Sequence, residues 1–337
     1  MDLSILKQEL MSRDLNSVDV EFIISYAQSL LDKDIPVIFD LEHLRRLLGL
    51  KRSDFKQVYY ANSNQYHNIE IPKNNGSGTR KLSLPSDKLK KVQRWILDYI
   101  LYNFEVNEKA TGFTLDKSIV TNANFHTNQK FVLKIDIKDF FPTITSNRVY
   151  GLFKSFGYNN SISLALTKLC THENCLPQGA PTSPYISNLI CRHLDIRLNG
   201  LAKKNNLNFS RYADDITFSG EFIPSNIVEM VQWILIEEGF WINELKTKLL
   251  NKSQRQKITG IIVNQKLSVP KEITKTLRQE IYYMKKFGVQ SHLERKNLQT
   301  KTNVKEHYFG LVRFILMVDN EMGKKLSYEL KKINWDS

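Results

Sequence analysis

The sequence predicts an α+β fold built on a split βαβ sheet with helices on one face. Three observations point there. A β-branched apolar run, Phe131 to Ile137, precedes two helical stretches. A short hairpin follows with two adjacent acids, Asp214 and Asp215, at its turn. Everything after Pro270 is helical in spacing and rich in lysine.

Taken in order, residues 1 to about 60 read as short helices. Val18 to Leu31 has helical apolar spacing, and Pro36 interrupts before the next segment. Leu41 to Leu50 followed by Lys51 to Tyr60 has the outline of a helix-turn-helix. It reads either as a DNA-reading unit or as a helical cap on a larger domain, and its apolar stripe favours the cap. His67 to Leu84 alternates and is basic, broken by the Gly-containing stretch Lys73 to Lys81, which predicts a hairpin with a basic loop. Pro85 leads into a helix from about Asp87 to Tyr102. Beyond the strand at Phe131, helices are expected over Ser146 to Phe156 and Ser161 to Cys170. The loop from Leu176 to Pro184 then opens another helix through Leu198. After the acidic hairpin come a helix, Ser225 to Glu238, and two strands, Lys257 to Val263 and Leu267 to Val269.

The 337 residues carry 48 Lys and Arg against 35 Asp and Glu, a net charge of +13. Such an excess favours a polyanionic partner, and nucleic acid is the commonest. From Lys266 to Ser337 there are 15 basic and 8 acidic side chains, so more than half of the excess lies in that last fifth. No run approaches the roughly 18 to 20 apolar residues that span a bilayer, so no membrane partner is expected. Met1-Asp2-Leu3-Ser4 has neither a basic n-region nor an apolar h-region. The three cysteines, Cys170, Cys175 and Cys191, fit a reducing compartment, and the expected location is the cytoplasm. Cys170 to Cys175, with His172 between them, lacks the paired short spacings of a structural zinc site.

Two adjacent carboxylates at a tight turn repel each other, and local stability does not explain them. A divalent cation does, because a hard metal takes oxygen ligands and cancels the repulsion. Asp136 ends an apolar strand, where a charge is costly unless paired or metal-bound. Each acid alone could be a surface acid at a strand end. Together, three carboxylates from two neighbouring strands can hold two Mg²⁺ ions roughly 3.5–4 Å apart, an arrangement suited to in-line phosphoryl transfer. Leu176-Pro177-Gln178-Gly179-Ala180-Pro181-Thr182-Ser183-Pro184 is a stiff turn of small residues that a flat base or sugar can approach closely. A purely structural turn uses the same residue types.

These segments, in this order, resemble a reverse transcriptase. The likeness is carried by Asp136-x-x-Asp139-Phe140-Phe141, by Leu176-Pro177-Gln178-Gly179, by Tyr212-Ala213-Asp214-Asp215, and by Lys246 after them. Within that superfamily the chain resembles bacterial retron reverse transcriptases. Asn122-Ala123-Asn124-Phe125-His126 matches their NAxxH element, and Ile258-Thr259-Gly260 stands where they carry Val-Thr-Gly. The resemblance covers about residues 70 to 330.

What the resemblance implies is specific. The fold is a right-hand polymerase: an N-terminal helical region at 1–65, fingers at 66–130, a split-βαβ palm at 131–268 with a fingers-like insertion near 146–185, and a helical basic thumb at 269–337. Asp136 and Asp214 bind two Mg²⁺ ions, Asp215 helps hold the site, and the Ile137 carbonyl is an extra metal oxygen. Phe141 falls at the steric-gate position beside Phe140, and Gln178 lines the nucleotide pocket. Lys73 and Arg80 are placed to grip the triphosphate of a dNTP, and Lys246 to assist pyrophosphate departure. Thr259 and Gly260 match the primer grip. Asn122 and His126 mark the family, with no chemical role derivable from the sequence.

The implied activity is RNA-directed DNA synthesis on a cognate structured non-coding RNA. Synthesis starts from a guanosine 2′-OH and gives branched RNA-linked single-stranded DNA. The setting is anti-phage defence with a separate effector protein. The alternatives are another bacterial reverse transcriptase (group II intron-like, diversity-generating or abortive-infection type), an RNA-dependent RNA polymerase, or a non-catalytic nucleic-acid-binding module. Phe141 speaks against an RNA polymerase. A pure binder gains nothing from acids facing phosphate.

Overall fold

The computed structural model describes residues 2–13, 16–72, 78–296 and 303–335. Four helices open the chain: α1 (Leu3–Met11), α2 (Ser17–Leu31), α3 (Leu41–Leu47) and α4 (Arg52–Tyr60). The first three start at Asp2, Asn16 and Asp40, whose side-chain oxygens accept first-turn N–H groups that the helix itself cannot satisfy. The hairpin β1 (Tyr66–Pro72) and β2 (Thr79–Pro85) follows, then α5 (Asp87–Tyr99), capped by Ser86. The short α6 (Ile119–Asn124) begins at a capping box, with Ser118 and Thr121 each accepting the other's backbone N–H.

Next come β3 (Phe131–Asp136), α7 (Phe140–Thr143), α8 (Ser146–Ser155), α9 (Asn160–Cys170), α10 (Ser183–Ile190) and α11 (Arg192–Lys204). The single helix expected through Leu198 is two helices, because Cys191 takes a turn-like φ of −80° and ψ of 4°. Then follow β4 (Asn208–Tyr212), β5 (Asp215–Gly220), α12 (Ile227–Glu237), β6 (Lys248–Asn251), β7 (Lys257–Ile258) and β8 (Ile261–Ile262). The chain closes with α13 (Lys271–Phe287), α14 (Val289–Arg295), α15 (Val304–Val318) and α16 (Asn320–Lys331).

The chain divides into two compact units. One comprises residues 1–114, 137–198 and 229–243. In it α3 and α4 pack against α9 with Leu44, Phe55 and Val58 buried, so the apolar stripe of residues 41–60 serves as a helical cap. The Tyr158 hydroxyl and the Asn159 amide donate to the carbonyls of Pro36 and Phe39, both at 3.0 Å, and anchor the first helices to the start of α9. The Leu176–Pro184 loop sits on β2. The Ser83 N–H donates to the Gln178 carbonyl at 2.9 Å, and a Cβ at Gly179, whose φ is +135°, would lie 2.8 Å from the Ser83 carbonyl oxygen. Only glycine meets both conditions.

The other unit comprises residues 115–136, 199–228 and 244–337. Its sheet has the order β4-β5-β3-β6, antiparallel throughout. The fourth strand, β6, was not expected from the sequence. Conversely, Lys257 to Val263 is not one strand: it folds back on itself as β7 and β8 around Thr259 and Gly260, and Ile262 then bridges Ser268. Helices α13 to α16 bury a core of their own, including Leu277, Ile281, Met284, Ile315 and Leu330. Each fully buried aliphatic chain there contributes about 1.5–3 kcal/mol. A second cluster joins Ala123 of α6 to Val132, Ile258, Ile261 and Val263, and Phe314 packs against both clusters.

Candidate active site

Register places the acids. Asp136 ends β3 directly opposite Asp215 on β5, and Asp215 pairs with Tyr212 on β4, which leaves Ala213 and Asp214 as the two-residue turn. Ala213 is left-handed at φ +55°, a conformation that costs an L-residue roughly 1–2 kcal/mol. Part of the reason it persists is Arg211, a wholly buried side chain whose Nη1 donates to the Ala213 carbonyl at 3.0 Å. The turn is therefore clamped from beneath by the strand that delivers it.

Electrostatics at this end of the sheet are poorly balanced. Like charges directly opposed across strands destabilise a sheet. The Asp214 carboxyl is pushed up to about 6, by burial first and then by the charges of Asp215 and Asp136. Asp215 is raised as well, again by burial first; Asp136 adds to the shift, while Lys134 and Lys246 oppose it. Asp136 is itself buried, and both its oxygens accept from the half-exposed Lys246 ammonium, at 2.9 and 2.8 Å. Among the described residues no group of three or more His, Cys, Asp or Glu is gathered as a metal cage. The donor set still suits a hard cation in kind. It is all oxygen, and at Asp214 and Asp215 burial first, then neighbouring carboxylates, disfavours the charged form that a cation would stabilise.

The remaining sequence candidates lie in both units. Ile137, Phe140, Phe141, Gln178 and Arg80 belong to the unit that starts the chain, and the division falls between Asp136 and Ile137. Ile137 bridges Ile242, and the Lys138 N–H donates to Trp241 O at 2.8 Å. Phe140 is buried against Phe240, whereas Phe141 is only partly buried. Gln178 is half-buried, and Arg80 is exposed on β2 opposite Ile71. Lys73 lies outside the described residues. In the second unit Thr259 and Gly260 have φ of +44° and +91°, as a two-residue type I′ turn requires.

His126 is fully buried, with Nδ1 and Nε2 each 2.7 Å from a serine hydroxyl, Ser219 on β5 and Ser210 on β4. Sequence reasoning missed both serines, and Arg211 and Lys134 too. A signal was present in Asn208-Phe209-Ser210-Arg211-Tyr212: a strand that buries Ser210 and Arg211 must satisfy them somewhere.

A model of the family described as reverse transcriptase (RNA-dependent DNA polymerase) matches residues 71–263. The chain belongs to this family and is an RNA-directed DNA polymerase. Its curated relatives narrow the group further. The retron Ec86 reverse transcriptase of Escherichia coli is 33% identical over 303 residues, covering 89% of this chain and 91% of that protein. The retron Mx162 and Mx65 reverse transcriptases of Myxococcus xanthus are each 32% identical. They cover 87% and 79% of this chain, which spans 66% and 64% of their lengths. The chain is a reverse transcriptase of the bacterial retron type.

Proposed function

We propose that this chain copies a cognate structured non-coding RNA into single-stranded DNA that stays joined to the RNA through a branch at a guanosine 2′-OH. The product serves anti-phage defence with a separate effector protein. The observation that carries the chemistry is the cluster of Asp136, Asp214 and Asp215. Membership of the retron group supports the branched product.

On a right-hand reading, residues 66–130 would form fingers, 131–268 a palm with a fingers-like insertion near 146–185, and 269–337 a basic thumb that grips RNA phosphates, behind an N-terminal helical region at 1–65. The reaction is attack of a primer hydroxyl on the α-phosphate of a dNTP, with pyrophosphate leaving. Asp136, Asp214, Asp215 and the Ile137 carbonyl would hold two Mg²⁺ ions, which supply charge neutralisation at the attacking and leaving oxygens. Lys246 holds the Asp136 carboxylate in place and, released from it, can meet the departing pyrophosphate. Phe141 presents its ring to the sugar and rejects a 2′-OH. Gln178 orients the nucleotide, Arg80 and Lys73 grip its triphosphate, and the Thr259–Gly260 turn carries the primer end.

Sequencing the nucleic acid that co-purifies with the active protein tests this. A branched RNA–DNA species from a single RNA is the expected result. Random cellular RNA with no attached DNA would overturn the retron product while leaving the polymerase assignment intact.

A further inference from the structure

We propose that Asn122, Ser210 and His126 form a directional hydrogen-bond relay that ties the Thr259–Gly260 turn to the strands of the catalytic hairpin, with the His126 proton held on Nε2. The functional half of this inference rests on the primer-grip assignment of that turn.

The direction follows from what each atom can do. Asn122 Oδ1 can only accept, and at 2.7 Å it takes the single proton of the Ser210 hydroxyl. Ser210 Oγ then has only lone pairs to offer His126 Nε2, also 2.7 Å away, so Nε2 must donate. In the neutral ring Nδ1 accepts, and its partner at 2.7 Å is the Ser219 hydroxyl. The far end of Asn122 faces the turn. Its Nδ2 donates to Thr259 Oγ1 at 3.5 Å, and that hydroxyl donates onward to the Ile119 carbonyl at 3.1 Å.

The turn supplies an independent argument. Type I′ turns favour Asn-Gly, because both central residues need positive φ, and a β-branched threonine there is strained. Thr259 nevertheless occupies the first position at +44°. What threonine provides is a hydroxyl reaching α6, bonded to both Asn122 and Ile119. Beside it Ala123 packs with Ile258 and Ile261, which holds α6 against the turn. The two sequence segments that mark the retron group, residues 122–126 and 258–260, are therefore two halves of one device. Asn122 and His126 are positioning residues: His126 reaches β4 and β5, and Asn122 reaches β4 and the turn.

The relay has a spectroscopic signature that packing alone would not produce. In full-length protein labelled with ¹⁵N in its histidine rings, His126 (assigned by loss of its signal in His126→Gln) should show the Nε2–H tautomer. In Asn122→Ala the Ser210 proton is freed to turn toward Nε2, and the ring proton moves to Nδ1. An unchanged tautomer overturns the relay. Thr259→Val carries the test if Asn122→Ala does not fold. It should raise KM for a primed RNA template about five-fold, the equivalent of one lost hydrogen bond, with KM for dNTP unchanged and Thr259→Ser restoring the wild-type value. No rescue by serine, or an equal rise in dNTP KM, overturns the positioning role. A switched tautomer with an unchanged primer–template KM supports the relay and overturns the primer-grip assignment instead.

Discussion

Asp214→Asn removes a charge that folding makes costly, and its effect on stability can be worked from the site. The carboxyl rises from 3.8 to about 6 on folding, chiefly through burial and secondarily through Asp215 and Asp136. A rise of that size sets a penalty of at most ~3 kcal/mol on the ionised folded state. The sign is opposite to that of a salt-bridged acid. Below pH ~4 both folded and unfolded chains are protonated and the penalty is absent. As pH climbs to about 6 the folded protein loses stability, and above that the loss is complete. Asparagine carries no such penalty. In metal-free buffer the variant should therefore match wild type near pH 4 and exceed it at pH 7.5. For 337 residues unfolding together, ~3 kcal/mol corresponds to roughly 4 °C in the melting midpoint. Mg²⁺ should raise the midpoint of the wild type and leave the variant nearly unmoved, because a ligand stabilises only the state that binds it. The variant should also lose primer extension. A variant no more stable than wild type at pH 7.5, or a gap that does not narrow toward pH 4, would refute the electrostatic account of the turn.

Phe141→Ala should raise ribonucleotide incorporation on a primed RNA template, and an unchanged dNTP-to-rNTP preference would place the sugar gate elsewhere. Gly179→Ala forces a Cβ to within 2.8 Å of the Ser83 carbonyl at a φ of +135°. It should cost about 2 kcal/mol or more in urea unfolding, with KM for dNTP rising, and wild-type values for both would show that the loop adapts freely. Lys246→Met strips the ammonium from Asp136. Because that lysine is half-exposed, the loss should be only ~1 kcal/mol without metal and should shrink when Mg²⁺ is added. A gap that persists in Mg²⁺ would mean the lysine and the cation do not share the carboxylate.

The site was legible in the sequence wherever neighbours along the chain carry the signal. Asp214 lies in the turn and Asp215 opens β5, and their adjacency alone demands an explanation in charge. Asp136 is legible because β3, apolar but for Lys134, ends in an acid. What stayed hidden depends on partners far along the chain. Lys248-Leu249-Leu250-Asn251 is a strand only because β3 lies beside it, and an edge strand with mostly exposed side chains has no alternation to detect. The roles of Asn122 and His126 depend on Ser210, Ser219 and Thr259, some 84 to 137 residues away. The helix through Cys191 and the strand through Thr259 extend too far in the sequence reading because one residue in the first and two in the second interrupt otherwise favourable periodicity.

The private core of α13 to α16 bears on how this chain can diversify. Its buried members all come from residues 277–333, and Phe314 also packs against the cluster that holds the Thr259–Gly260 turn. Exposed lysines on these helices can be exchanged without repacking the sheet, since substitutions remote from one another add independently. A charge-changing substitution on this surface therefore leaves the sheet and its acids in place, so its effect on nucleic-acid binding can be read apart from their chemistry. At Phe314 a substitution is no longer local, because altering it disturbs two cores at once.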